Sequence, residues 1–96
     1  SGTTGYDYAA MAMPDSAAEQ ARNAFATIFA TLADAGFAPA DIVRVQYTIT
    51  DAALVDEIAP VLGAAMKDAL PAATMVVAGL IRPEMKVEIE VTAFRE

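Results

Sequence analysis

The chain has 96 residues, 56% of them hydrophobic, and a formal net charge of −7 at pH 7, so it should form one domain, residues 1–96, with a small core. The acidic charge argues against non-specific binding to nucleic acid or anionic membranes, which requires basic patches. The sequence contains neither cysteine nor histidine, which excludes disulfides, thiol chemistry and Ser-His-Asp catalysis.

The N-terminal segment predicts a loop followed by a short strand. Residues 1–5 consist of Ser, Gly and Thr and are predicted to form a loop. Residues 6–13 alternate between two faces, which predicts a strand that Pro14 ends.

A capping box predicts where the first helix begins. Ser16 and Glu19 have its spacing, and the helix is expected to run to about Ala35, where a glycine follows. Apolar residues recur along it at helical intervals and form one face. Gln20 and Asn23, the polar residues of its early turns, are expected to face solvent.

A second strand and a second helix follow. Residues 42–50 alternate between an apolar face that begins at Val43 and a polar face that begins at Arg44, which predicts a strand. Asp51 is suited to cap the helix that follows. Pro60 falls inside that helix and predicts a kink or a restart near it.

The last quarter of the chain predicts two more strands, within residues 71–80 and 86–94, joined by a short loop. In the second of these, apolar residues alternate with polar ones, so Glu88 and Glu90 project side by side from the polar face. The order is therefore β-α-β-α-β-β. Both helices are expected on one face of a mixed sheet, which makes an α+β sandwich.

Several motifs resemble those of the RidA/YjgF family, the reactive-intermediate deaminases that are also called endoribonuclease L-PSP proteins. They are Pro-Ala-x-Thr at residues 71–74, Val-Glu-Ile-Glu at 87–90 and Asp-Ile-Val-Arg-Val at 41–45. Ser1 and Gly2 match a Ser-Gly pair of the family. The resemblance covers the whole chain and implies a chorismate-mutase-like fold that assembles as a homotrimer. The hairpin with which the family's sequences begin has no counterpart before Ser1, and we expect that a truncation explains its absence.

The resemblance also implies a site. The family's usual signature is Pro-Ala-Arg-Thr, whose arginine grips a substrate carboxylate, a task suited to a bidentate guanidinium. This chain has Ala73 in that position, whereas Glu88 matches the family glutamate that positions the hydrolytic water and is the candidate catalytic residue. The expected ligand-binding residues are Ala73, Thr74, Met75, Gly2 and Tyr6. Arg44 and Arg82 are the possible substitute cations.

Three functions remain open. The favoured one is a family member that binds a small metabolite in clefts between subunits but is not a standard 2-imino acid deaminase, because Ala73 replaces the arginine. The second is a hydrolase of imines, enamines or related substrates that uses Glu88. The third is a structural or regulatory trimeric module. The family's ribonuclease label fits poorly with an acidic chain that lacks histidine.

The expected partners are further copies of the chain in a homotrimer and a small-molecule ligand, without nucleic acid or membrane. No cofactor motif is visible, and no metal site is predicted, because salt bridges of Glu88 and Glu90 to Arg44 or Lys86 are favoured over metal binding. No apolar run approaches the roughly 20 residues of a membrane span. No signal peptide is visible either, so a cytoplasmic location is expected.

Overall fold

The computed structural model describes residues 2–96 and shows two helices packed on a four-stranded mixed sheet. In chain order the elements are β1 (Thr3–Thr4), α1 (Ala17–Asp34), β2 (Ile42–Ile49), α2 (Val55–Met66), β3 (Ala72–Val77) and β4 (Val87–Ala93). Single 3-10 turns precede β2 and α2. The predicted α+β class and the β-α-β-α-β-β order are confirmed.

The strand order in the sheet is β1-β4-β2-β3, so the two C-terminal strands lie on opposite sides of β2. β4 runs antiparallel to β1 and β2, and β3 runs parallel to β2. In this ladder Thr48 of β2 lies between Glu88 of β4 and Val76 of β3. Because neighbouring strands are about 4.8 Å apart, residues at the same level of β4 and β3 are roughly 10 Å apart.

One face of the sheet packs against the helices and forms the apolar core. β4 alternates as its sequence predicts, since Val87 and Ile89 are fully buried while Glu88 and Glu90 are only partly so. Ile58 of α2 is also fully buried in this core. The opposite, polar face of the sheet carries the two glutamates.

Strand β3 is exposed on both faces along its whole length. Met75, Val76 and Val77 leave 37%, 37% and 57% of their surface accessible. β3 is also an edge strand, so its outer backbone groups have no partner strand among residues 2–96. An apolar edge of this kind favours pairing with, or cover by, another chain.

The N-terminal segment differs from its prediction. The first strand is Thr3–Thr4, whereas residues 6–13 contain a turn. Two backbone hydrogen bonds of 2.7 and 3.1 Å between Asp7 and Ala12 close this turn. The Asp7 carboxylate also accepts from the Ala10 N–H at 3.0 Å. Short acidic side chains compete with strand pairing in this way, which explains why the predicted strand was wrong.

Helix α1 begins at Ser16 as predicted, and the Ser16 hydroxyl accepts from the Glu19 N–H at 3.2 Å. A carboxylate from α2 adds to this cap, because Glu57 accepts from the Ala18 N–H at 2.9 Å and from the Ser16 hydroxyl at 3.1 Å. These two hydrogen bonds, the one from Ala18 first, hold the pKa of Glu57 below its ordinary value. Gly36 follows the helix in the left-handed conformation, with φ of 85°.

Gln20 does not face solvent, so that prediction was wrong. Its side chain is fully buried. Its amide nitrogen donates to the carbonyls of Pro14 and Glu84 at 2.7 and 3.0 Å, and its oxygen accepts from the Lys86 N–H at 2.8 Å. Periodicity alone did not reveal this, because the segment just before α1 and the loop before β4 supply the hydrogen-bond partners of Gln20.

Asn23 and Gly5 join the same helix to the N-terminal segment. The Asn23 amide donates to the Gly5 carbonyl at 3.2 Å and is half-buried, which contradicts its predicted exposure. A Cβ on Gly5 would lie 2.2 Å from the Cα of Gln20. Only glycine therefore lets the segment pack this closely on α1.

Two predicted details in the middle of the chain were also wrong. The β2–β4 ladder is irregular between Ile42 and Arg44, so Ile42 is buried and Val43 is 48% exposed. An irregularity of this kind shifts the alternation that placed Val43 on the apolar face. Helix α2 continues through Pro60, so the predicted restart was wrong, whereas the kink stays a prediction. Asp51 caps the 3-10 turn before α2, where it was predicted to act as a cap.

Candidate functional site

Glu88 lies on the polar face of the sheet beside Gly2. In the ladder, Glu88 pairs with Thr4 of β1 on one side and with Thr48 of β2 on the other. A Cβ on Gly2 would be 2.4 Å from the Cδ and Oε1 atoms of Glu88, so the Glu88 carboxylate lies directly against Gly2. The structure therefore brings two of the predicted site residues together. Ser1, the other half of the predicted Ser-Gly pair, lies outside the described residues.

The predicted ligand-binding residues of β3 lie apart from Glu88 within one chain. Ala73, Thr74 and Met75 are exposed on β3, and β2 separates them from β4. Thr74, for example, is level with Gln46 of β2, which shares the polar face with Glu88. Residues of β3 and β4 are separated by roughly two strand spacings, about 10 Å, so Ala73, Thr74 and Met75 lie on a different part of the subunit surface from Glu88.

Ala73 faces the helix side of the sheet, since it pairs with the fully buried Val45. It lines a pocket of about 240 Å³ together with Tyr47 and Lys67. Burial raises the pKa of the Tyr47 hydroxyl, so this group stays protonated and neutral. Lys67 is thus the cation that shares a pocket with Ala73. The sequence pattern did not reveal it, because Lys67 directly follows α2 and meets β3 only in the folded chain.

The two arginines considered as substitute cations lie elsewhere. Arg44 is level with Ala72, on the face of the sheet opposite to Ala73, and its guanidinium donates to Gln46 Oε1 at 3.1 Å. Arg82 lies in the loop before β4 and lines a separate hollow with Tyr6. The predicted site residues are therefore distributed over several distinct parts of the subunit.

The hollow that contains Tyr6 and Arg82 lies between the N-terminal turn and the loop before β4, and its volume is about 660 Å³. Two tyrosines and three methionines line it, together with Arg82 and Glu84. Thr4, the ladder partner of Glu88, also lines it. The hollow is thus next to the Gly2–Glu88 site, with Thr4 between them.

The chemistry that residues 2–96 support comes from carboxylates, hydroxyls and amines. Within this part of the chain no three acidic side chains are grouped to hold a metal ion. None of its helices combines the length and hydrophobicity needed to cross a membrane. A carboxylate such as Glu88, held beside backbone and partly exposed, can accept a hydrogen bond from a ligand or orient a water molecule.

Solved structures of similar proteins share this fold. A member of the highly conserved YjgF/YER057c/UK114 family from Mycobacterium tuberculosis is 34% identical, with a TM-score of 0.86 over 99% of this chain and 75% of that chain. A YjgF family member from Neisseria meningitidis is 30% identical, with a TM-score of 0.88 over 100% and 76% of the two chains. RidA from an Antarctic Psychrobacter is 26% identical, with a TM-score of 0.90 over 99% and 77%.

The comparison of sequences agrees with that of structures. No curated protein matches the chain. The sequence model of the family described as Endoribonuclease L-PSP matches residues 1–95. The match spans nearly every residue, including the motifs around Ala73 and Glu88. The chain therefore belongs to the Endoribonuclease L-PSP family, which includes the YjgF and RidA proteins.

Proposed function

We propose that this protein binds a small metabolite in clefts between the subunits of a homotrimer and is not a standard 2-imino acid deaminase. The observation that carries the proposal is the division of the site within one chain. Gly2 and Glu88 lie together, whereas Ala73, Thr74 and Met75 lie two strands away on an exposed edge. A neighbouring subunit whose β3 approaches Gly2 and Glu88 would complete one cleft.

The surface around the Gly2–Glu88 pair and around strand β3 suits a contact between subunits. The polar sheet face offers Gln46, Glu88 and Glu90, all half-buried in the single chain. Strand β3 adds the exposed side chains of Val76 and Val77. A surface that combines apolar and polar side chains in this way suits a subunit contact, and closed symmetry would use every such surface in a trimer.

Glu88 is the proposed catalytic or ligand-orienting residue of this cleft. Its carboxylate lies against the backbone of Gly2, so a ligand or water that reaches it would also meet main-chain polar groups. The neighbouring subunit would contribute the Thr74 hydroxyl and the backbone at Met75. Ala73 offers no charge to a substrate carboxylate, which is why ligand binding is proposed in place of the usual deamination.

One observation favours the alternative of an imine or enamine hydrolase. Lys67 shares a pocket with Ala73 and could replace the missing cation. A lysine, however, presents a compact point charge, whereas an arginine offers a planar fork that binds both carboxylate oxygens. Lys67 would therefore hold a substrate carboxylate with less directional control, so metabolite binding remains the favoured function.

Native mass spectrometry of the purified protein tests ligand binding. We expect a small-molecule adduct on the wild-type assembly and loss of that adduct in Glu88→Gln, which keeps the shape of the side chain but removes its charge. The matched control is Glu19→Gln on the exposed side of α1, which should retain the adduct. An adduct that survives unchanged in Glu88→Gln, or a wild-type assembly that carries none, would contradict the proposal.

A further inference from the structure

The hollow between the N-terminal turn and the loop before β4 has walls that a buried side chain holds together. Gln20 donates to the carbonyl of Pro14, just after the N-terminal turn, and to that of Glu84 in the opposite wall. It also accepts from the Lys86 N–H. Because fully satisfied buried hydrogen bonds rigidify their surroundings, the hollow is formed before any ligand arrives.

The lining of this hollow is aromatic and adaptable. Its volume of about 660 Å³ lies within the usual range of ligand pockets. The rings of Tyr6 and Tyr8 meet edge to face, with centroids 4.9 Å apart. Met11, Met13 and Met85 also line it. Methionine side chains adapt to different shapes and make favourable contacts with aromatic rings, so this lining suits a large apolar group.

Two opposite charges lie on the loop that forms one wall. Arg82 and Glu84 both line the hollow, and neither forms an ion pair with any residue between 2 and 96. A guanidinium suits a carboxylate, and a carboxylate suits an ammonium group. Their charges cancel locally, so the hollow is complementary to a molecule that carries both signs. The net charge of −7 on the chain disfavours a simple anion.

We propose that this hollow is a second ligand site and that it takes an α-amino acid with a large apolar side chain. The carboxylate of the ligand pairs with Arg82 and its ammonium group with Glu84, while its side chain packs among Tyr6, Tyr8 and the methionines. Among the described residues that line the hollow, Glu88 is absent. The site is therefore distinct from the proposed cleft between subunits.

Titration calorimetry with three probes tests this site. L-phenylalanine carries both charges, 3-phenylpropanoate lacks the ammonium group, and 2-phenylethylamine lacks the carboxylate. We expect L-phenylalanine to bind about tenfold more tightly than either analogue, because each analogue leaves one charge of the site without its partner. Arg82→Gln should remove the preference over 2-phenylethylamine, and Glu84→Gln the preference over 3-phenylpropanoate.

Two further variants separate this proposal from the proposed function. Arg22→Gln, which removes an exposed cation from α1, should leave the affinity for L-phenylalanine unchanged. Glu88→Gln should also leave it unchanged, so failure of the cleft and failure of the hollow give different results. Circular dichroism verifies that each variant is folded. Equal affinity for the three probes, no binding of L-phenylalanine at millimolar concentration, or affinities that Arg82→Gln and Glu84→Gln do not change would overturn the proposal.

Discussion

The purified protein is expected to release no keto acid from 2-iminopropanoate or 2-iminobutanoate above the rate of a buffer control, whereas Ala73→Arg should raise that rate. Hydrogen bonds to charged groups contribute about 1.5–3 kcal/mol, and Ala73 supplies none to a substrate carboxylate. If the introduced guanidinium stabilises the transition state by that amount, the rate should rise about 10- to 150-fold. The imines are generated in place by an amino-acid oxidase, and the keto acid is measured directly.

Ala30→Arg is the matched control for this gain of activity. It adds the same charge to an exposed alanine, but Ala30 lies on α1 and not on β3. We expect no increase in rate from it. A substantial rate in the wild-type protein would favour the hydrolase, and equal gains in both variants would show that charge alone, and not its position, is responsible.

Gln20→Met is expected to lower the free energy of unfolding by about 3 kcal/mol or more. Methionine nearly matches the volume of glutamine, so the change isolates the hydrogen bonds from packing. Two carbonyls and one N–H would lose their partner, and each buried polar group left unsatisfied costs about 1–3 kcal/mol. Urea denaturation followed by circular dichroism measures the effect.

Gln46→Met controls for the substitution itself. Gln46 lies on the polar face of β2, and the hydrogen bond that its oxygen accepts from Arg44 is exposed, so the change should cost less than about 1 kcal/mol. Since Gln20→Met could prevent folding outright, the milder Asn23→Ala gives a second measurement. It removes one half-buried hydrogen bond to Gly5 and should cost about 1 kcal/mol. Equal losses in Gln20→Met and Gln46→Met would contradict the proposed role of Gln20.

Much of the fold could be predicted because local chemistry determines it. The alternation of β4 follows from one face meeting the core and the other meeting the polar surface, and the structure buries Val87 and Ile89 accordingly. Ser16 is the start of α1 because its hydroxyl satisfies a backbone N–H that the helix leaves free. Both features depend on residues within a few positions of each other.

Two of the errors arose from side-chain hydrogen bonds. Gln20 has the polarity of a surface residue, but the N-terminal segment and the loop before β4 supply its partners. The turn at Asp7 replaced a predicted strand because a side-chain hydrogen bond competed with strand pairing. Both outcomes depend on contacts that hydrophobic periodicity does not encode.

The same limit applies to the candidate site. The motif around Glu88 identified that residue, and the resemblance also predicted Gly2 for the same site. The folded structure adds the contact between them, which spans nearly the whole chain. Lys67 had no motif at all, and its position beside Ala73 depends on how α2 ends against β3. Tyr6 and Arg82 were selected separately, and the structure places them in one hollow.

The central claim is that a neighbouring subunit completes the cleft at Gly2 and Glu88, and the mass of the assembly tests it most directly. Light scattering coupled to size-exclusion chromatography at micromolar concentration measures that mass. Three copies of the 10.0 kDa chain in a closed trimer predict about 30 kDa. A single species with the mass of one chain would contradict the claim, because Glu88 would then have no neighbouring β3 to meet.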